Sequence, residues 1–224
     1  MGSVLTMAGP INIILADDHE IIRKGVRSYL ETLPDFVVVG EATSGEEILA
    51  LVSELLPDII LLEIMMSDMN GIETIRRLKQ ISPRTKVVIL TACSEDTYIF
   101  PAMEAGAVSY NLKNLKMDRL ADELRYAHHS ELRLHPRVAV LMLEKIHDEK
   151  SRESFHFIEL TNRELDMLRL IANGLTNSQV AETLVVSDSR VKDYVSNILS
   201  KLYMAGCLQA AVAQAEQRRI SSDS

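Results

Sequence analysis

Five side chains that suit a cation and an anionic group each follow a short apolar run of the chain. Asp17 and Asp18 come after the first run, and Glu63, Thr91 and Lys113 stand at or near the ends of three later ones. Three converging carboxylates would repel one another without a cation, and hard oxygen ligands suit Mg²⁺. The hydroxyl of Thr91 and the mobile ammonium group of Lys113 suit phosphate oxygens. These residue types predict a metal-assisted phosphate site if the fold brings them together.

Alternating apolar runs and amphipathic stretches predict the elements that position these residues. Each apolar run is short and bounded by turn residues, which is typical of a strand buried on both faces of a parallel sheet. The predicted strands cover 11–16, 36–40, 59–66, 86–91 and 108–113, with helices at 20–33, 44–56, 71–81, 96–105 and 116–128. Five such units predict an α/β doubly wound, flavodoxin-like sheet with its ligand chemistry at the carboxyl ends of the strands. One polar residue there could merely solvate an edge, but five on four strands favour a site.

Composition bounds the class of protein. The chain has 224 residues, 47% hydrophobic and 25% charged, which favours two globular domains. It has no apolar run near the roughly 18 residues of a membrane span and no basic, hydrophobic leader, so we expect a cytoplasmic protein. The net charge is −8, and residues 155–224, with 7 Lys/Arg and 8 Asp/Glu, are almost neutral. Nucleic-acid binding therefore has to be argued from local pattern.

The second half of the chain has an all-helical pattern. A charged segment without core-forming residues, 148–154, predicts a domain boundary, and we place a linker over 131–156. Capping residues and apolar spacing beyond it predict helices over about 161–172, 177–184, 188–202 and 208–217. Two helices joined by a tight turn suggest a helix-turn-helix unit. On geometry alone, a helical bundle for protein interaction is equally allowed.

The first half resembles the receiver domain of bacterial two-component response regulators. The resemblance rests on Asp17-Asp18, Leu61-Leu62-Glu63-Ile64, Thr91-Ala92 and Lys113, and covers about residues 10–130. In that family a histidine kinase transfers a phosphoryl group to an aspartate at the end of the third strand. The resemblance implies a Mg²⁺ site of Asp17, Asp18, Glu63 and the Met65 carbonyl, a phosphoryl site of Thr91 and Lys113, and a rotating aromatic switch at Tyr110.

The chain departs from the family at its central position, where Glu63 replaces the aspartate. Glutamate extends the carboxylate by one carbon–carbon bond, about 1.5 Å, toward the place of a phosphoryl group and out of position for in-line attack. Three interpretations stay open. Glu63 is a built-in mimic that holds Thr91 and Tyr110 in the active arrangement, a dead site in a domain kept for dimerisation or docking, or a poor phosphate acceptor. The first predicts phosphorylation-independent output and a weakened or dispensable role for Mg²⁺.

Three groups of residues in the helical half form a second set of motifs. They are Leu160-Thr161-x-Arg163-Glu164, Ile171-Ala172-x-Gly174 and Ser196-Asn197-Ile198-Leu199-x-Lys201-Leu202. They resemble the LuxR-type helix-turn-helix DNA-binding domain over about residues 157–220. With a receiver, this combination is similar to the NarL/FixJ type of response regulator, and segment 100–106 resembles that of its cell-envelope-stress members. The resemblance implies that DNA is contacted by Asn177, Ser187, Arg190, Lys192, Asp193, Ser196 and Lys201, with Lys192 at the major groove.

The DNA-binding half also departs from its family. Arg190 and Tyr194 replace the usual Thr and His, and Asp193 places on the groove-facing side a carboxylate that repels phosphates unless it binds cytosine. We therefore expect specific binding to need a homodimer on a two-fold site in double-stranded DNA.

The favoured interpretation is a non-enzymatic transcription regulator with a sensor histidine kinase as a further partner. The alternative is a degenerate receiver that acts as a protein-interaction module and no longer reads DNA. A haloacid-dehalogenase-like phosphatase would also use carboxylates at strand ends, but the sequence lacks its Asp-x-Asp pair and its cap domain.

Overall fold

The structure is a computed structural model that describes residues 9–67, 69–93, 96–129, 134, 136–147 and 160–204. Its first part alternates strands and helices, and its second part is helical. The strands are β1 (Ile11–Ala16), β2 (Phe36–Ala42), β3 (Ile59–Leu62), β4 (Met65–Met66), β5 (Met69–Asn70), β6 (Lys86–Thr91) and β7 (Ala107–Leu112). The helices are α1 (Glu20–Leu30), α2 (Gly45–Leu55), α3 (Gly71–Ile81), α4 (Asp96–Glu104), α5 (Met117–His128), α6 (Pro136–His147), α7 (Asn162–Ala172), α8 (Asn177–Leu184) and α9 (188–204).

Five parallel strands form the central sheet in the order β2-β1-β3-β6-β7. Successive residues of a strand point to opposite faces. Ile13 therefore shares an apolar cluster with Val26 of α1 and Leu124 of α5. Its neighbour Ile14 belongs to the cluster on the other face, with Val52 of α2. Because both faces are covered, the strands are continuous apolar runs, and the predicted doubly wound sheet is confirmed.

The third strand ends at Leu62 and not, as predicted, at Met66. The chain bends there into β4 and β5, which pair with each other in antiparallel orientation. Gly71 permits this bend, because a Cβ atom at that position would lie 2.4 Å from the carbonyl oxygen of Ile64. Glu63 is therefore the first residue beyond the strand, and its side chain is buried.

The helical part begins with two capping boxes. Thr161 and Glu164 exchange side-chain to backbone hydrogen bonds at the start of α7, as their spacing predicts, and Thr176 starts α8 in the same way. Val185 ends α8 with φ 54°, in the left-handed region, and turns the chain into α9. The result is the helix-turn-helix arrangement expected from the sequence. The helix predicted over 208–217 lies outside the described residues.

Helix α6 lies in the predicted linker and joins the two parts of the chain. It contacts α4 of the α/β part and α7 of the helical part. Its buried Val138, Ala139 and Met142 belong to one apolar cluster with residues of both parts. The two parts are therefore docked on each other through a shared core. Within the described ranges, none of the helices has the length and apolar character needed to cross a bilayer.

Candidate functional site

The carboxyl ends of four strands bring the five predicted site residues together. Asp17 and Asp18 follow β1, Glu63 follows β3, Thr91 ends β6 and Lys113 follows β7. Since the strands are parallel and adjacent, these ends meet at one edge of the sheet. The structure therefore brings these five residues to one edge of the sheet.

Glu63 lies at the centre of the site with its carboxylate surrounded by donors. Its Oε1 atom accepts hydrogen bonds from the Thr91 hydroxyl (2.5 Å) and the Met65 backbone N–H (2.9 Å). Its Oε2 atom accepts one from the Ala92 N–H (3.3 Å) and lies 2.8 Å from the Lys113 ammonium nitrogen. The side chain is only 2% exposed, and these four donors offset the cost of burying its charge.

Lys113 joins two carboxylates across the sheet edge. Its Nζ atom lies 2.6 Å from Asp17 Oδ2 and 2.8 Å from Glu63 Oε2, and all three side chains are largely buried. Burial alone would lower the pKa of Lys113, but its hydrogen bonds to Asp17 and Glu63 outweigh burial and raise that pKa above its ordinary value. The ammonium group therefore stays charged and supplies the positive charge that the carboxylates require.

Asp17 and Asp18 offer ligand atoms that suit a hard cation. Carboxylate oxygens of Asp17 and Asp18 and a ring nitrogen of His19 lie within 4.8 Å of one another. Although Asp18 Oδ1 is 2.8 Å from His19 Nδ1, that geometry is not a hydrogen bond, and this buried oxygen accepts none from the described residues. Burial opposes ionisation of Asp18, but the Ser67 N–H and His19 lower its pKa. Asp17 and Asp18 thus offer carboxylate oxygens of the kind that suits Mg²⁺. Both oxygens of Asp17, like those of Glu63, already have hydrogen-bond or ion-pair partners, and Mg²⁺ would have to compete with these.

Tyr110 is buried behind this pocket and connected to it. Its hydroxyl donates to the carbonyl oxygen of Cys93 (3.1 Å), and the Cys93 N–H donates to the Thr91 hydroxyl oxygen (3.1 Å). Thr91 in turn donates to Glu63. The connecting residue, Cys93, was missed in the sequence because its contacts come from backbone groups, which carry no side-chain signature.

The predicted DNA-contacting residues lie on α8, on α9 and in the turn between them. Ser187 caps α9, where its hydroxyl oxygen accepts a hydrogen bond from the Arg190 N–H (3.3 Å). Arg190 and Asp193 are exposed, whereas Lys192 and Ser196 are half-buried. These positions leave Arg190 and Asp193 accessible to a ligand.

Lys201 forms an ion pair within its own domain. Its Nζ atom lies 2.9 and 2.7 Å from the two carboxylate oxygens of Glu164, a buried residue that also caps α7. The ammonium group therefore holds α9 to α7 inside the domain. The expectation that Lys201 contacts the DNA backbone stays a prediction, and such a contact would have to compete with this ion pair.

Two other predicted DNA contacts face the receiver. Ser196 lines a cavity between α9 and the sheet, together with Lys79 and Lys86. Asn177, at the start of α8, lines a second cavity together with Ser109 of β7. Both residues therefore lie beside the receiver and are only partly exposed.

Each half of the chain matches a family of known proteins. Residues 13–125 match the family described as response regulator receiver domain, and residues 159–213 match the LuxR family of bacterial regulatory proteins. The chain is 40% identical to the transcriptional regulatory protein LiaR of Bacillus subtilis (strain 168) over 202 residues, which cover 90% of this chain and 95% of LiaR. It is 39% identical to the response regulator protein VraR of Staphylococcus aureus (strain NCTC 8325 / PS 47), with the same coverage.

A solved structure of another response regulator is also similar to this chain. The two-component response regulator of the LuxR family from Aurantimonas sp. SI85-9A1 is 28% identical, with a TM-score of 0.56 over 62% of this chain and all of that one. The paired matches to a receiver and to a DNA-binding helix-turn-helix unit distinguish a regulator from an enzyme. The chain belongs to the LuxR family of DNA-binding two-component response regulators, which are non-enzymatic regulators of transcription.

Proposed function

We propose that Glu63 takes the place of a phosphorylated aspartate, so that dimerisation and DNA binding are controlled without phosphorylation. The observation that carries this proposal is the set of four donors on its carboxylate, which includes the Thr91 hydroxyl and the Lys113 ammonium group. A phosphoryl group on a shorter side chain would offer its oxygens to the same two groups. The extra methylene of glutamate brings a carboxylate to them directly.

The same contacts make Glu63 a poor nucleophile. Attack on phosphorus needs an available lone pair, but both carboxylate oxygens already accept hydrogen bonds, and Oε2 also faces Lys113. When bound by Asp17 and Asp18, Mg²⁺ would supply positive charge for anionic oxygens. Lys113 already supplies such a charge between Asp17 and Glu63, so the arrangement of the pocket does not depend on the metal.

The expected shift toward the active state is incomplete. A carboxylate carries one negative charge, whereas a phosphoryl group carries nearly two. In addition, Ser196 and Asn177 lie against the receiver, so DNA has to compete with the docked arrangement. A homodimer on a two-fold DNA site draws the equilibrium toward the separated form, since a ligand shifts a population by its differential affinity.

The test compares the unsubstituted chain with Glu63→Asp. Both proteins are incubated with Mg²⁺ and acetyl phosphate, and intact mass, oligomeric state and binding to double-stranded DNA are measured. We expect the unsubstituted chain to bind DNA without the phosphodonor and to gain no phosphoryl adduct. Glu63→Asp, which restores the shorter carboxylate, should gain both an adduct and a dependence on the donor. Robust phosphorylation of Glu63 would refute the proposal.

A second candidate is an interaction module that no longer reads DNA. It is favoured by the placement of Asn177 and Ser196 against the receiver and by the exposed carboxylate of Asp193. Selection of bound DNA from a random pool distinguishes the two functions. Enrichment of a two-fold sequence supports the regulator, and a pool that stays random supports the module.

A further inference from the structure

A cavity of about 200 Å³ lies between the receiver and helix α9. It opens at the amino-terminal ends of β6 and β7, the sheet edge opposite to Glu63, because Lys86 begins β6 and Ala107 begins β7. The DNA-binding part contributes Ser196, Ser200 and Tyr203 to its wall. Both parts of the chain therefore build this cavity, which is separate from the carboxylate pocket.

Two lysines give the cavity a positive charge that its wall does not balance. Lys79 and Lys86 both line it, and the described lining residues include no carboxylate. The Nζ atom of Lys79 donates to the carbonyl oxygens of Thr85 (2.7 Å) and Pro83 (3.5 Å), which are neutral acceptors. Burial and repulsion by Lys86 lower the pKa of Lys79 to about 8. An anion between the lysines would offset both their mutual repulsion and the cost of burying the Lys79 ammonium group.

Close packing gives the cavity a defined shape. A Cβ atom at Gly106, whose φ is +110°, would lie 2.9 Å from Lys79 Cγ and 3.0 Å from Tyr203 Cε2, so a larger residue would have to displace these two side chains. Ser196 and Ser200 are four residues apart on α9 and hence lie on one face of the helix. Both serines line the cavity together with the two lysines.

We propose that this cavity binds a phosphate-type dianion that bridges Lys79 and Lys86 to the serines of α9. Two cations match the charge of a phosphate, and hydroxyl groups are common donors to its oxygens. Drug-sized ligands occupy cavities of roughly 300–1,000 Å³, so the volume suits inorganic phosphate or a small phosphomonoester. Bound there, the anion ties the two parts of the chain together and holds Ser196 away from DNA. The site is independent of the role proposed for Glu63.

The experiment titrates the full chain with inorganic phosphate at constant ionic strength and records the heat of binding. A second titration uses glycerol 3-phosphate. Saturable binding of either anion supports the site, and the ratio of the two affinities shows whether it prefers free phosphate or a phosphomonoester. We expect millimolar binding that weakens about tenfold in Lys86→Gln and in Ser200→Ala, the loss typical of one hydrogen bond to a charged group. Lys86→Arg, which keeps the charge, should retain binding and show that the fold tolerates substitution there.

Lys24→Gln is the matched control, since it removes the same charge from an exposed position on α1 that pairs with Glu20. It should leave the affinity unchanged. The proposal is overturned if neither anion shows saturable binding at millimolar concentrations, if Lys86→Gln binds phosphate as tightly as the unsubstituted chain, or if Lys24→Gln weakens binding as much as Lys86→Gln does. None of these measurements involves DNA or phosphorylation, so their failure leaves the proposal about Glu63 standing.

Discussion

The hydroxyl of Thr91 lies 2.5 Å from Oε1 of Glu63 and joins the ends of the neighbouring strands β6 and β3. It is the first of three consecutive hydrogen bonds, because the Cys93 N–H donates to the same hydroxyl and the Tyr110 hydroxyl donates to the Cys93 carbonyl. Both ends of this chain are buried. The charge at position 63 is thereby connected to the aromatic ring at position 110.

A double-mutant cycle tests this connection. Thr91→Val and Tyr110→Phe each remove one hydroxyl with little change of shape, and each should lower the free energy of unfolding by about 1 kcal/mol. Because Cys93 links the two residues, the double variant should differ from the sum by about 0.5 kcal/mol or more. Urea unfolding measures the free energy of unfolding of the two single variants and the double variant. Tyr29→Phe on α1 is the control, and its effect on the free energy of unfolding should add to that of Thr91→Val. If the effects of Tyr110→Phe and Thr91→Val also add, the connection is contradicted.

Glu63→Gln tests how strongly the pocket depends on a charged side chain. The amide keeps the shape but loses its charge opposite Lys113 and places an NH₂ group among four donors. Breaking a buried ion pair costs about 3 kcal/mol, and urea unfolding should show a loss of that order.

The control for that change is Glu31→Gln. Glu31 pairs with Arg27 on the surface of α1, with about half of its side chain exposed, so the variant should lose about 0.5 kcal/mol. Equal losses at the two positions would mean that the carboxylate of Glu63 is not held as the structure describes.

Apolar patterning was sufficient to predict the pocket's side chains but not their detailed partners. Runs ending at Asp17, Thr91 and Lys113 had to reach one edge of a parallel sheet, so their meeting could be predicted. The N–H donors to Glu63 could not, since backbone groups have no sequence signature, and the bend after Leu62 depends on close approach at a glycine. Contacts between residues that are far apart in the sequence also cannot be predicted from a local pattern.

Domain docking and the Lys201 ion pair are examples of such long-range contacts. Helical spacing put Lys201 on α9 correctly, but its partner Glu164 is 37 residues away. The docking of α9 on Lys79 likewise depends on how complete surfaces fit together, which no motif encodes.

Lys79 should make stability depend on pH. Its pKa falls from 10.5 to about 8 on folding, through burial first and repulsion by Lys86 second. Between these values the unfolded chain binds more protons than the folded one, so the free energy of unfolding rises with pH through this window. The rise in the free energy of unfolding should be on the order of 3 kcal/mol.

Urea midpoints at pH values below and above this window measure the rise. Lys79→Met keeps the aliphatic stem against Gly106 and removes the ammonium group, so it should abolish this component of the rise. Lys24→Met, at an exposed position, should leave the pH dependence intact. An unchanged slope in Lys79→Met would show that the ammonium group is solvated in the folded chain.

Lys192 and Lys201 should differ in what their loss affects, although both lie on α9. Lys192→Ala should weaken binding to the selected DNA and reduce the slope of log affinity against log salt by about 1, as expected when one phosphate contact is lost. Lys201→Met should leave that slope unchanged and lower the free energy of unfolding by about 1–2 kcal/mol, because buried Glu164 loses its cation. Salt-dependent DNA titration and urea unfolding of both variants separate the two effects. A reduced salt slope in Lys201→Met with unchanged stability would show that its ammonium group contacts phosphate, and would reverse the assignment made from its ion pair.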